Sequence, residues 1–237
     1  MRRLLFAWGL LVLGIWSLAQ AQSPTVRAVI LNTLPSPVSG GLTATIWNSS
    51  DQVGMTITGN SSGSIATNNN GAAAGVRAVD SLVGKQYWEV TLTVDASDGT
   101  AFGVSNTSFT LSGSIVGNAD AAGYRSADAN VFYNFGALIS GVSAPSSGLT
   151  VGYAIDIPNK KIWTRLITAG PTCGNWDNTT DNPVGNVGGG DLTTLLGRNA
   201  TIYPTVTANQ FSNVLTGRFA AAGFLCAAPT GFGVVGH

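Results

Sequence analysis

Gln86-Tyr87-Trp88-Glu89-Val90-Thr91-Leu92-Thr93-Val94 alternates apolar and polar side chains with a period of two. Successive side chains of an extended strand point to opposite faces, so Trp88, Val90, Leu92 and Val94 line one face while Glu89, Thr91 and Thr93 line the other. The first set is predicted to face a core. Working outward, similar runs occur at Leu42 to Trp47, Val53 to Thr58, Ala101 to Ser105, Val131 to Phe135, Leu149 to Ile157, Lys160 to Ile167, Tyr203 to Ala208 and Leu215 to Leu225. Clusters of Gly, Ser, Asn and Asp separate them, at spacings typical of an all-β domain. Leu149 to Leu166 predicts a hairpin, because two apolar runs flank the compact turn Asp156-Ile157-Pro158-Asn159-Lys160. Asn60 to Ala74 and Pro183 to Gly190 read as loops, and helical periodicity is confined to one or two turns around Asp191 to Leu196. Antiparallel strands with polar outer faces imply two sheets packed around one core.

Composition narrows the function. Of 237 residues only 9% are charged, with 11 Lys plus Arg against 11 Asp plus Glu, and 44% are hydrophobic. A neutral chain without a basic cluster cannot neutralise a phosphate backbone, so nucleic acid is not an expected partner. The apolar content is enough to form a core and argues against disorder. Titratable chemistry is scarce: Glu89 is the one Glu, His237 the one His, and Cys173 and Cys226 are the two Cys. No pairing among them has zinc-site spacing, and no metal or cofactor is expected.

Met1 to Ala21 reads as a secretory signal. Arg2 and Arg3 supply the positive start, Leu4 to Leu18 the apolar stretch, and Ala19-Gln20-Ala21 the small-residue cleavage pattern, with cleavage expected after Ala21. The alternative is an uncleaved anchor, although a spanning helix needs about 20 apolar residues. The expected organisation is signal 1–21, an extended segment 22–41 and a β-sandwich domain 42–237. Losing Arg2 and Arg3 leaves 9 Lys plus Arg against 11 Asp plus Glu. No later segment is apolar enough to span a bilayer. A secreted or cell-surface location is expected, with a virion as the alternative. Export makes a Cys173–Cys226 disulfide feasible, the alternative being two buried thiols.

Four pieces then resemble one family. Gly84-Lys85-Gln86-Tyr87-Trp88-Glu89-Val90 resembles the G-K-x-Y-W-E-V strand of SPRY (B30.2-like) domains, and Ala101-Phe102-Gly103-Val104-Ser105 resembles the F-G-V strand that follows it. Val151-Gly152-Tyr153-Ala154-Ile155-Asp156 with Asn159-Lys160-Lys161-Ile162-Trp163 is similar to the family's V-G-x-A-x-D...N-x-K-x-W hairpin. Gly174-Asn175-Trp176, Tyr203-Pro204-Thr205-Val206 and Gly217-Arg218-Phe219-Ala220 through Pro229-Thr230-Gly231-Phe232 resemble closing segments of bacterial and phage-type members. The resemblance spans Leu42 to Phe232. It implies a bent two-sheet antiparallel β-sandwich, a concanavalin-like jelly roll, that binds a partner through loops and catalyses nothing. An insertion at Pro171 to Leu196 and the cysteines depart from typical members.

Catalytic and metal motifs are weak. Gly59-Asn60-Ser61-Ser62-Gly63 has nucleophile-elbow spacing but no histidine base and no strand-to-helix context. Gly185 to Gly190 has neither the preceding strand nor the long following helix of a phosphate cradle. A glycosidase needs two carboxyl groups across a scissile bond, and Glu89, with no second Glu, is expected on a strand surface. Asp95-Ala96-Ser97-Asp98-Gly99 and the Asp177/Asp181 loop offer few oxygens for calcium.

Aromatics in polar surroundings carry the functional expectation. Asn175, Trp176 and Asp177 in the insertion, Tyr124 and Arg125 in Gly123-Tyr124-Arg125-Ser126, and Trp163 with Arg165 on one strand face are the candidate ligand-binding residues, since a ring face beside amides and charges suits a sugar or a peptide anchor. The expected function is a non-catalytic recognition or adhesion module with a protein or glycan ligand. The alternative is a homo-oligomeric assembly component of a surface layer, phage tail or fibre.

Overall fold

The alternating run 86–94 becomes the central strand of the larger of two sheets. A computed structural model describes residues 43–237 except 97, 98, 127, 169–171 and 178. The expected signal and the segment 22–41 lie outside the described residues.

In chain order the strands are β1 (Trp47–Val53), β2 (Met55–Asn60), β3 (Gly63–Asn68), β4 (Ala74–Ala78), β5 (Lys85–Val94), β6 (Ala101–Asn106), β7 (Ala121–Arg125) and β8 (Asn130–Tyr133). They continue with β9 (Gly136–Ser140), β10 (Thr150–Asp156), β11 (Lys161–Thr168), β12 (Thr172–Cys173), β13 (Gly190–Asp191), β14 (Ile202–Ala208), β15 (Val214–Arg218) and β16 (Gly233–Val234). A seven-stranded sheet runs β1-β4-β14-β6-β7-β8-β9, and a nine-stranded sheet runs β12-β11-β10-β5-β15-β3-β2 with β13 on β11 and β16 on β5. All pairings are antiparallel except β16 on β5, where Gly233 and Val234 sit beside Gln86 and Tyr87. The fold is an all-β two-sheet sandwich, with almost no helix among the described residues.

The core lies between the sheets. Trp88, Val90 and Leu92 are buried there, as expected, and Val94 at the strand end is 41% exposed. Trp88 stacks on Tyr153 with ring centroids 4.9 Å apart, and the Tyr153 hydroxyl donates to the Phe102 carbonyl at 2.7 Å, tying one sheet to the other. The predicted hairpin forms as β10 and β11, in register from Thr150 opposite Ile167 to Asp156 opposite Lys161. Its turn is held by Asp156, which accepts from the backbone and side chain of Asn159, and by Lys160 in the left-handed region at φ 54°.

Several sequence expectations change. Asn60 to Ala74 is not all loop: β3 occupies Gly63–Asn68 and closes a hairpin with β2, its polar Ser, Thr and Asn masking the strand signal. The run from Val131 stops at Tyr133, because Asn134 and Phe135 take φ of 46° and 65° in the turn to β9. Leu215 to Leu225 is strand only to Arg218 and then passes through a single 3₁₀ turn at Ala221–Gly223. The helix is Thr193–Arg198. Among the described residues no helix is long and apolar enough to cross a membrane.

Candidate functional site

A third layer covers the outer face of the larger sheet. β10 is buried along its whole length, and its outward positions Gly152 and Ala154 are small. A Cβ on Gly152 would fall 2.6 Å from the Tyr87 hydroxyl, so the glycine makes room for that ring. Tyr87, Ala154, Trp163 and Phe232 form a separate buried cluster, joined by Trp176 from the insertion and Phe224 from the C-terminal segment. Both covering segments are joined by the Cys173–Cys226 disulfide, with Cα atoms 5.9 Å apart.

Beneath them lies a polar relay. Glu89, expected on the strand surface, is fully buried: its carboxylate accepts from the Tyr87 hydroxyl at 2.7 Å and from the backbone N–H of Leu225 at 2.7 Å and Cys226 at 2.9 Å. It is therefore an anchor for the C-terminal segment. The Arg165 Nη2 donates to the Tyr87 hydroxyl at 2.8 Å and to the Ala227 carbonyl at 2.7 Å. The guanidinium lies 4.5 Å from the Trp176 ring centroid and 5.1 Å from that of Tyr87, a cation–π contact with each ring. Burial pushes the Tyr87 hydroxyl far above its ordinary pKa, and the Glu89 charge adds to that, so the phenol stays protonated and bridges the two charged groups.

At the edge of β11 a cavity of about 130 Å³ opens between the sheets, lined by Tyr124, Ser143, Thr164, Arg165, Thr168 and Asn175 among others. The hydroxyls of Tyr124 and Thr164 lie 3.3 Å apart. Behind Thr164, Asp177 Oδ1 accepts from the Thr164 backbone N–H at 2.8 Å and its hydroxyl at 3.0 Å, while the Asp177 N–H donates to the Thr164 carbonyl at 2.6 Å. Asp177 Oδ2 has no hydrogen-bond partner among the described residues. Burial pushes this carboxyl up to about 7, against the hydrogen bonds from Thr164 and with the added repulsion of Asp181.

The candidate residues therefore separate. Arg165, Trp176, Asn175 and Tyr124 converge on this end of the sandwich. Tyr124 is buried on β7 rather than in a polar loop, because its neighbours Ala121, Ala122 and Gly123 form a strand too. Arg125 ends that strand and pairs with Asp128 at 2.5 Å, without lining the cavity. Trp163 is fully buried, its Nε1 donating to the Val187 carbonyl at 2.8 Å, so neither face of β11 is left open. The 185–190 glycine run wraps Trp163. Asp177 supports the insertion from behind. Sequence reasoning missed Tyr87, Glu89 and Thr164, although the small outward residues of β10 signalled a covered face. Among the described residues no cluster of three or more His, Cys, Asp or Glu can hold a metal ion.

No protein-family model matches this sequence, and no curated protein matches it. Among solved structures it is similar to the SPRY domain of human HERC1, with TM-score 0.53 and 15% identity over 73% of this chain and 96% of that one. The TRIM65 PSpry domain (TM-score 0.47, 12% identity, 73% and 90% covered) and a human SPRY domain (0.43, 14%, 70% and 96%) are further matches. The fold is thus a SPRY-like β-sandwich.

Proposed function

We propose that this chain is a non-catalytic recognition module, exported and closed by a disulfide, that holds a protein partner at the loop-covered end of its larger sheet. The observation that carries the reading is Arg165, in cation–π contact with Trp176 beside an open cavity lined by hydroxyl and amide groups. Arg and Trp in a partly desolvated pocket are the residues that dominate recognition energetics. The family resemblance implies loop-mediated binding. The Cys173–Cys226 bridge suits an oxidising compartment, as does the signal pattern at Met1 to Ala21. Glu89 has its carboxylate engaged by a tyrosine and two backbone donors, an arrangement of support rather than of acid–base catalysis.

A second reading, an assembly component of a surface layer, tail or fibre, is favoured by Phe135. That ring is 81% exposed at the β8–β9 turn, at the end of an edge strand.

The test is to pan the chain, exported from an oxidising host, against a random peptide library and a glycan array, beside Trp176→Ala. Peptide enrichment that falls at least about tenfold in the variant is expected. Glycan capture without peptides would replace the protein partner by a carbohydrate. Capture of nothing, with concentration-dependent assembly, would favour the second reading.

A further inference from the structure

The turn between β8 and β9 carries a residue that its geometry disfavours. Tyr133 pairs with Gly136, so the loop has two residues, and Asn134 and Phe135 both take positive φ, at 46° and 65°. That is the type I′ hairpin turn, whose second central position suits glycine. A bulky side chain at positive φ is an outlier, and such strain persists where something else is gained from it. Phe135 is also 81% exposed, more than any other large apolar side chain among the described residues. Its direction is nevertheless set: the ring rests on Gly117, where a Cβ would overlap it, and the Asn134 N–H donates to the Asn118 carbonyl at 3.3 Å. Gly136 and Ala137 beside it are exposed and small, which leaves the ring standing clear.

The same sheet has a receptive feature at its other edge. β9 and β1 are the two edge strands of the seven-stranded sheet, six strand spacings apart, or about 30 Å at about 4.8 Å each. Where residues 43–46 lead into β1 and residues 79 and 80 leave β4, a mostly apolar groove of about 470 Å³ opens, with Ala44, Ile46, Gly59, Val79 and His237 among its walls. Ile46 and Val79 are 40% and 45% exposed, so the apolar wall is accessible. An apolar cavity of about 150 Å³ takes a benzene ring. The groove therefore has room for a phenyl ring with the backbone of a hairpin tip behind it.

We infer that Phe135 of one copy enters this groove on a second copy of the chain, so that molecules associate head to tail. Ring and groove are different patches and each copy carries both, and such a heterologous contact repeats along a row of molecules unless the row closes into a ring. Little net charge keeps the copies apart, with 11 Lys plus Arg against 11 Asp plus Glu. A contact anchored on one side chain is of the small and weak class, and repetition along an array gives it persistence. The inference rests on the assembly reading and adds the two surfaces that meet; it does not draw on the Trp176 site.

The experiment is sedimentation of the exported chain from micromolar to millimolar concentration, beside Phe135→Gly and Val79→Glu. Expected for the parent is a sedimentation coefficient that rises with concentration beyond that of a dimer. Each variant is expected to associate at least about tenfold more weakly, because one truncates the aromatic anchor and the other charges its pocket. Phe135→Gly should keep or raise the unfolding midpoint, since glycine suits the turn, whereas loss of a residue that served the fold would lower it. The deciding sample is a mixture of the two variants. The Val79→Glu copy keeps its ring and the Phe135→Gly copy keeps its groove, so the mixture should form a one-to-one heterodimer and stop there. Ile46→Gln takes the place of Val79→Glu where that variant does not fold. A parent that stays monomeric at every concentration overturns both the inference and the assembly reading. Association that survives undiminished in either variant, or a mixture that forms no heterodimer, overturns the ring-in-groove contact while assembly stands.

Discussion

Replacing Asp177 by asparagine should stabilise the protein, and more so as the pH rises. The carboxyl is 2% exposed, its Oδ2 lacks a partner, and its pKa goes from the ordinary 3.8 to about 7. The native state therefore binds the proton more tightly than the unfolded chain. Stability from this site is present at low pH and declines as pH rises from about 4 to about 7, with little change beyond. At about 1.4 kcal/mol per pH decade the interval corresponds to about 4 kcal/mol, of which about 3 kcal/mol falls between pH 5 and pH 8. Thr164 and the Asp181 carboxylate face the group from the neighbouring strand and from its own loop, and Asp181 opposes its ionisation. In Asp177→Asn the amide would keep an oxygen for the Thr164 N–H and carry no charge. Urea unfolding at pH 5 and pH 8, disulfide intact, measures the difference. The variant is expected to gain about 3 kcal/mol relative to the parent on moving from pH 5 to pH 8. A difference that does not change with pH would mean that the carboxyl ionises normally and that burial does not control it.

Three further outcomes follow from the covering layer. Cys173→Ser with Cys226→Ser opens a loop with a sequence separation of 53 and is expected to cost about 4 kcal/mol in the chain-entropy picture, read by chemical unfolding. Glu89→Gln turns an acceptor facing two backbone N–H groups into one acceptor and one donor, for a loss of about 2 kcal/mol; hydrogen exchange should show Leu225 and Cys226 losing protection before the sandwich core does. Gly189→Ala puts a Cβ 2.6 Å from the Trp163 ring at φ 76°, and thermal unfolding should show a loss of at least about 1 kcal/mol.

The inner sheet faces were legible because alternation is local. Trp88, Val90 and Leu92 share a face whatever lies across from them, and the β10–β11 hairpin is written in its own turn residues, with Asp156 capping Asn159. Strands built largely of small and polar residues were not legible, as β3 (Gly-Ser-Ile-Ala-Thr-Asn) and β4 (Ala-Gly-Val-Arg-Ala) show, since their pairing rather than their side chains makes them strands. The candidate site was half legible. Trp176 and Arg165 stood out by type, and they meet at a distance of 4.5 Å. Tyr124 was recognised as a residue but misplaced as a loop, and Arg125 beside it turns to Asp128 instead.

What the sequence alone determined is the all-β class, the core-facing set and the shortage of acid–base groups, because these depend on periodicity and residue counts. Only the tertiary structure decided which outer face is covered. Glu89 looks like a solvated strand residue in the alternating run, and it becomes a buried anchor because residues 225 and 226, more than a hundred positions away, bring their N–H groups to it. The pairing of Arg165 is decided in the same way, by segments that no local pattern connects to β11: Tyr87 from one strand, Trp176 from the insertion and Ala227 from the C-terminal segment. A side chain's face is set by its neighbours in sequence, while its partners are set by whatever chain packs over that face.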